Sequence, residues 1–296
     1  MSLKAIFELL KTAAAEWNED QAPNMAAALS YYTLFSVAPL LLILITLAGL
    51  VLGRDAVQQE VLARIGYTVG TDAANLVGTM IQSVSKPAAS IPATILGIIA
   101  LVGGALGVFG QIKGSLNKIW DVSPKASQGF VKDIQNTLQA ELSAFLLILL
   151  IGALMLVSFI LSAVFAALAD VVNNGLGSPA AAAVGEVVNF ALTFVGVTLS
   201  FMGLYRILPD THIAWTSVSI GAVITALLFM LGKFLIGLYL SHSGIASAYG
   251  AAGSLVVLLL WVNYSAQIFY FGAEITQVYA KQHHLKETPA QNTQSP

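Results

Sequence analysis

The sequence predicts an all-α fold, a polytopic membrane helical bundle of six transmembrane helices with short amphipathic interfacial helices. Three observations predict it. Of 296 residues, 57% are hydrophobic and only 9% are charged, against about 25% charged in an ordinary soluble domain. The apolar residues gather into runs that reach or exceed the about 20 residues needed to cross a hydrocarbon core. The polar stretches between those runs are too short to build a second core, so residues 1–280 read as a single membrane domain.

At the start of the chain, Leu3, Ile6, Phe7, Leu10, Ala14 and Trp17 follow helical spacing, with Lys4, Glu8 and Lys11 opposite. This is an amphipathic helix, which either lies in the membrane interface or packs as an ordinary helix on the bundle. The first span runs from Asn24 to about Leu52. It is much longer than the apolar region of a signal peptide, about 7–15 residues, and no cleavage site is evident, so it is expected to stay in the membrane. A run of this length has to tilt or kink, and Pro39 marks the kink. Its ring removes one backbone donor and frees the carbonyl of Phe35, which the nearby Ser36 hydroxyl is placed to help satisfy.

Residues 54–90 leave the membrane. Val57, Val61 and Ile65, then Leu76, Met80 and Val84, recur at helical spacing among Gln, Asp and Arg, which predicts an amphipathic cap of two short helices over the extracytoplasmic mouth. The second span, 91–112, is glycine-rich. Gly103 and Gly107 form a GxxxG pair, and Gly110 with Gly114 another, which suits close helix packing. A polar loop, 113–136, precedes the third span at 142–169. The fourth is 184–208, the fifth 215–240 and the sixth 251–279, and residues 281–296 form a polar tail expected to be disordered.

Six spans place both termini on one side. That side collects Lys4, Lys11, Lys113, Lys118, Lys125, Lys132, Arg206, Lys281 and Lys286, whereas the other collects Arg54, Arg64 and Lys86. Basic residues accumulate on the cytoplasmic side, so both termini are read as cytoplasmic.

The composition also excludes function classes. A formal net charge of −2 gives no basic excess for a phosphate backbone, so nucleic acid is not expected as a partner. There is no cysteine, which removes disulfides and thiolate metal sites. His212, His242, His283 and His284 form no HExxH and have no carboxylate at ligand spacing, so no metal is expected. Neither GxSxG nor a P-loop occurs. No catalytic residue and no cofactor is therefore assigned, and the chain is not expected to be an enzyme.

Ionisable groups within spans cost about 2.5–3.5 kcal/mol on insertion scales, so each needs a partner or a role. By depth, Glu186 and Lys233 fall near the outer end of the bundle, and Arg206 and Glu274 near the inner end. The expectation is two ion pairs, Glu186 with Lys233 and Arg206 with Glu274, acting as bolts in the bundle or as gates of a cavity. On the sixth span Asn263, Gln267, Tyr270 and Glu274 share one helical face. Asn263 and Gln267 lie at mid-depth, with Tyr270 below them and Tyr31, Tyr32 and Asn189 as neighbours from other spans. This set is the candidate substrate cavity.

Three stretches carry a resemblance: AAALSYYTLFSVAPLLL in the first span, GSLNKIWDV after the second, and LPDTHIAW, GAVITALLF and YGAAGSLVVLLLWVNYSAQIFYFGAEITQVYA towards the end. Together they resemble the YihY/virulence factor BrkB family of bacterial inner-membrane proteins, over Trp17 to about Ala280. The resemblance implies six spans with cytoplasmic termini, in agreement with the charge count. The family has also carried the label ribonuclease BN, and the residues argue against it. A nuclease of metallo-β-lactamase type needs an HxHxDH cluster and a soluble αβ fold, and neither is present. No substrate and no catalytic residue carries over.

The functional expectation is an inner-membrane transport protein that moves a lipid-like or amphipathic molecule through a cavity between helices, with membrane lipids as its partners. The alternative is a non-transporting scaffold or assembly factor of the cell envelope, in which each buried polar group bonds another helix. Homo-oligomerisation is left open by the sequence.

Overall fold

The structure, a computed structural model, describes residues 3–85, 107–122, 179–242, 249 and 252–287, and their regular structure is entirely helical. In chain order the helices are α1 (Leu3–Glu19), α2 (Ala22–Leu52), α3 (Arg54–Thr68) and α4 (Thr71–Ser85). They continue with α5 (107–119), α6 (Pro179–Ile207), α7 (Trp215–His242) and α8 (Gly253–Glu287). By length and apolarity, Trp215–Tyr239 and Gly253–Gln282 can each cross a membrane, and α2 is a third if its two bent halves count as one span. Within α6, Thr193–Ile207 is a shorter apolar helix. The expected second and third spans, 91–112 and 142–169, fall outside the described residues except for 107–112, and Gly103 falls with them.

Gln21 separates α1 from α2 in a left-handed conformation (φ 59°), and Pro23 sits in the first turn of α2, where its missing N–H costs nothing. α2 then bends by 46° between Ala22–Ala38 and Leu40–Leu52. The break falls at Pro39, as the loss of its backbone donor requires. Ser36 does not repair the break: its hydroxyl donates to the Thr33 carbonyl at 3.3 Å.

α2 runs antiparallel to α8. Near its start, Ala22, Met25, Ala26 and Leu29 share a core with Ala266, Phe269, Tyr270 and Ala273 of α8 and with Leu116 and Ile119 of α5. Further along, Ala38 and Ile45 share a core with Leu258, and there the α3–α4 hairpin joins them. Val57, Val61, Leu62 and Ile65 of α3 and Leu76, Val77, Met80 and Ile81 of α4 all pack into this cluster, which extends to Leu34 and Val262. The two amphipathic helices therefore lie along the flank of α2 and α8 and are not confined to the mouth of the bundle. Their apolar faces need cover, and the bent stretch of α2 supplies it.

α7 and α8 interlock through small residues. A Cβ added to Gly221 would lie 1.7 Å from Thr276 Oγ1, and one added to Gly272 would lie 1.8 Å from Thr225 Oγ1. Each glycine thus accepts the threonine of the facing helix, and the backbones approach as closely as they do only because both positions lack a side chain. Tyr205 of α6 completes this packing. Its buried hydroxyl donates to the Phe269 carbonyl at 2.7 Å and lies 3.1 Å from Thr225 Oγ1, while its ring stacks on Phe269 with centroids 5.2 Å apart.

α1 packs on the bundle through Leu9 and Ala13, which meet Ile275, Val278 and Tyr279 of α8. Its opposite side leaves Phe7 66% exposed, so the first helix has both a docked face and an apolar outer face. At the other end of the chain, α8 continues as helix through Glu287, past the point at which the polar tail was expected to begin.

Candidate functional site

The polar stripe of α8 does not stop at Glu274. The spacing that links Asn263, Gln267, Tyr270 and Glu274 continues to Gln277 and Lys281 on the same face. Its lower half is deeply enclosed: Tyr270 and Glu274 are fully buried and Gln277 is 2% exposed. Gly272 and Thr276, which meet α7, lie on a different face of the helix. The stripe itself turns towards α1, α2 and α5.

The end of α5 docks against this stripe. Asp121 takes a left-handed conformation (φ 51°), which ends the helix and leaves the Ile119 carbonyl to accept the side-chain N–H of Gln277. The same Gln277 amide lies 3.3 Å from Asp121 Oδ2, and Lys281 pairs with that carboxylate at 3.1 Å. One turn earlier, Asn117 holds the α6–α7 turn by two bonds: its amide donates to Asp210 Oδ2 at 3.0 Å and its Oδ1 accepts the Asp210 backbone N–H at 2.8 Å. Lys113 adds an ion pair to Asp210 at 3.0 Å. Lys118 donates to the Asp20 carbonyl at the α1–α2 junction. The GSLNKIWDV stretch is therefore the clasp joining four parts of the chain.

Inside the clasp is a group of polar atoms without hydrogen-bond partners among the described residues. Neither carboxylate oxygen of Glu274 meets an N–H or hydroxyl donor, and the Gln277 Oε1 and the indole N–H groups of Trp17 and Trp120 are buried without a partner, while the Tyr270 hydroxyl lies beside Ser115. A buried polar group left unpaired costs about 1–3 kcal/mol, and most native buried groups avoid it. The Glu274 carboxyl faces that of Asp20 within hydrogen-bonding reach; Glu16 adds a further negative charge nearby and Lys281 a positive one. Burial raises the pKa of Asp20 above its ordinary value of 3.8; Lys118 opposes this, Asp121 and Glu19 reinforce it, and the hydrogen bond with Glu274 favours the ionised form of Asp20.

Several sequence expectations change here. Arg206 and Glu274 do not pair. Arg206 donates to the Ile213 carbonyl and its guanidinium lies 5.4 Å from the centroid of the Trp215 ring, so the turn after α6 satisfies it locally. Glu274 lies on the face of α8 directed to the α1–α2 junction, where its charged neighbours are mostly acidic. Lys233 sits 4.5 Å from the centroid of the Tyr67 ring of α3; the side chain of Glu186, its expected partner, lies outside the described residues, as does that of Asn189. Asn263 and Gln267 are half-buried and bond each other, the Gln267 amide donating to Asn263 Oδ1 at 2.7 Å. Tyr31 and Tyr32 are 60% and 40% exposed; Tyr32 packs over Gly107, where an added Cβ would lie 2.9 Å from its ring.

Sequence reading missed Gln277, Asp20, Asn117, Asp121, Asp210 and the two tryptophans. For Gln277 the signal was present, since the stripe continues to it without a break in spacing. The others fall on three segments apart from α8, Trp17 with Asp20, Asn117 with Trp120 and Asp121, and Asp210, and only folding brings those segments to it.

The model of the family described as Virulence factor BrkB matches residues 13–296. Among curated relatives, the chain is 27% identical over 256 residues to a UPF0761 membrane protein of Pseudomonas aeruginosa strain LESB58, covering 86% of this chain and 58% of that protein. It is 29% identical over 294 residues to one from Alcanivorax borkumensis, covering 97% and 63%. It is 24% identical over 264 residues to one from Mannheimia succiniciproducens, covering 88% and 86%. The chain thus spans about three fifths of the length of the first two relatives. No solved structure matches. The clasp at α5 and the closing half of α8 are built from two of the three stretches that carried the resemblance, and the chain is a membrane protein that belongs to the Virulence factor BrkB family.

Proposed function

We propose that the protein is a six-span transport protein of the bacterial inner membrane, with both termini cytoplasmic, that moves a lipid-like or amphipathic molecule between its helices without catalysing a reaction. The observation that carries this reading is the buried polar cluster of Glu274, Tyr270 and Gln277 at the end of the α8 stripe, in which both Glu274 oxygens and the Gln277 Oε1 meet no N–H or hydroxyl donor. In a scaffold each such group bonds a neighbouring helix, because an orphan in an apolar setting is costly. In a transporter the same groups are available to water, protons or a headgroup, and ionisable residues within a span are by default candidates for such a path. The half-buried pair Asn263 and Gln267 lies up the same face and extends the polar track away from the cluster. Tyr31 and Tyr32 present aromatic surface along α2, where an amphipathic molecule finds both apolar and polar contacts.

The test is transbilayer movement of labelled phospholipids in vesicles reconstituted with the purified chain. Vesicles containing the protein are expected to equilibrate label between leaflets faster than protein-free vesicles. The double variant Asn263→Leu with Gln267→Leu is expected to insert normally and lose that acceleration. Vesicles no faster than protein-free ones for any headgroup, or a double variant as active as the parent, would refute the transport reading and return the chain to the scaffold class.

A further inference from the structure

Two carboxyl groups that meet inside a protein create a specific chemical problem. An ionised carboxylate only accepts hydrogen bonds, whereas a protonated one also donates. Both oxygens of Glu274 are buried and lack a donor, and the group that faces Glu274 within hydrogen-bonding reach is the carboxyl of Asp20. With both ionised, two acceptors face each other and two like charges stand together at the edge of an apolar core. One proton removes both difficulties. It cancels a charge and supplies the missing donor.

We infer that Glu274 and Asp20 form a binding site for a single exchangeable proton, carried by Glu274 and donated in a hydrogen bond to the Asp20 carboxylate. Loading takes one proton from water onto a Glu274 oxygen, and unloading returns it. No other bond is made or broken. The charged groups around the pair fit this assignment. Glu16 and Glu19 of α1 favour a bound proton, as does Asp121 at the end of α5, while Lys118 and Lys281 oppose it from α5 and α8. Lys118 is already bonded to the Asp20 carbonyl and Lys281 to Asp121, so neither cation closes a salt bridge to Glu274. Among the described residues, no three His, Cys, Asp or Glu side chains are grouped to hold a metal ion, which favours a proton over a metal cation as the occupant. The pair also joins two elements. Asp20 sits in the short junction between α1 and α2, and Glu274 in the long α8, so loading holds the junction against α8 and unloading leaves two repelling carboxylates there. As the coupling site for transport, this inference rests on the preceding reading; as a proton site, it stands without it.

Infrared difference spectroscopy of the intact purified chain in lipid, recorded as pH is varied, tests the site directly. The parent is expected to show the carbonyl stretch of a protonated carboxyl that titrates with pH. Glu274→Gln is expected to lose that band, and Asp20→Asn to shift its frequency by replacing the charged carboxylate acceptor with a weaker, neutral amide one. If Glu274→Gln does not fold, Asp20→Asn alone decides, because the junction lies outside the spans. Absence of a titrating band in the parent, its persistence in Glu274→Gln, or an unshifted band in Asp20→Asn would overturn the assignment. Loss of the band on adding sodium or potassium at fixed pH would overturn it too, in favour of a metal cation. A normal band without lipid movement leaves the proton site standing and removes only the transport reading.

Discussion

Replacing Gly272 by alanine is the most direct probe of how α7 and α8 hold the site together. The added Cβ would lie 1.8 Å from Thr225 Oγ1, 2.4 Å from the Tyr205 hydroxyl and 2.9 Å from Thr225 Cβ. A carbon needs at least 3.0 Å from such an atom, so something has to retreat by about 1.2 Å, the difference between 3.0 and 1.8 Å. Thr225 cannot simply rotate away, because its hydroxyl bonds the Gly221 carbonyl at 2.6 Å. The Tyr205 hydroxyl likewise bonds the Phe269 carbonyl. Overpacking of this kind costs about 1–3 kcal/mol, and loss of the tyrosine hydrogen bond adds about 1 kcal/mol. The expected loss is about 3 kcal/mol, or about 5–10 °C in Tm. Thermal unfolding in detergent, followed by near-ultraviolet circular dichroism, reads this directly. Combining Gly272→Ala with Thr225→Ala removes the closest clash and is expected to recover part of the loss. Gly237→Ala is the control: nothing lies within 4 Å of its added Cβ among the described residues, so the variant is expected to be neutral or more stable by up to about 1 kcal/mol. A Gly272→Ala variant as stable as its parent, or a pair of variants whose effects simply add, would refute the reciprocal glycine–threonine packing.

Three further predictions follow from the same contacts. Asn117→Ala breaks both bonds to Asp210 and is expected to cost about 1–2 kcal/mol, more than Lys113→Ala, whose half-exposed ion pair contributes about 0–1 kcal/mol; the reverse order in thermal melts contradicts the clasp. Because the pKa of Asp20 is raised in the fold, its stabilising contribution is complete below its ordinary value of 3.8 and is lost as pH rises through the raised value. Docking of α1, followed by Trp17 fluorescence, is therefore expected to tighten as pH falls through that window, and Asp20→Asn to flatten the response; tightening on alkalisation instead contradicts the shift. Pro39→Ala restores a backbone donor to α2 and is expected to straighten its 46° bend, lengthening the distance between spin labels at Asn24 and Val51 by about 3 Å for a helix rising 1.5 Å per residue; an unchanged distance means that the α3–α4 hairpin, and not the proline, sets the bend.

The legible parts of this protein are those written in neighbouring residues. Membrane residence follows from composition, the bend in α2 from Pro39 and the stripe on α8 from a spacing of three and four residues. Gly221 with Thr225 and Gly272 with Thr276 repeat one small-residue pattern on two helices, so even the tightest contact had a local signature. That signature names a packing face without naming the helix it meets. The partners of charged groups were less accessible. Arg206 and Glu274 share a level by counting residues, yet rotation of α8 directs Glu274 to the α1–α2 junction, while the turn after α6 takes up Arg206.

The sequence alone therefore determined that the chain is a membrane protein, where α2 bends and which face of α8 carries polarity, because hydrophobicity and helical periodicity act over a few residues. Tertiary structure alone decided that Glu274 meets Asp20, that Gln277 closes the end of α5 and that Asn117 holds the α6–α7 turn. Those choices depend on the rotation and register of helices far apart in the chain. Small residues such as Gly272 set them by permitting one close approach and excluding others.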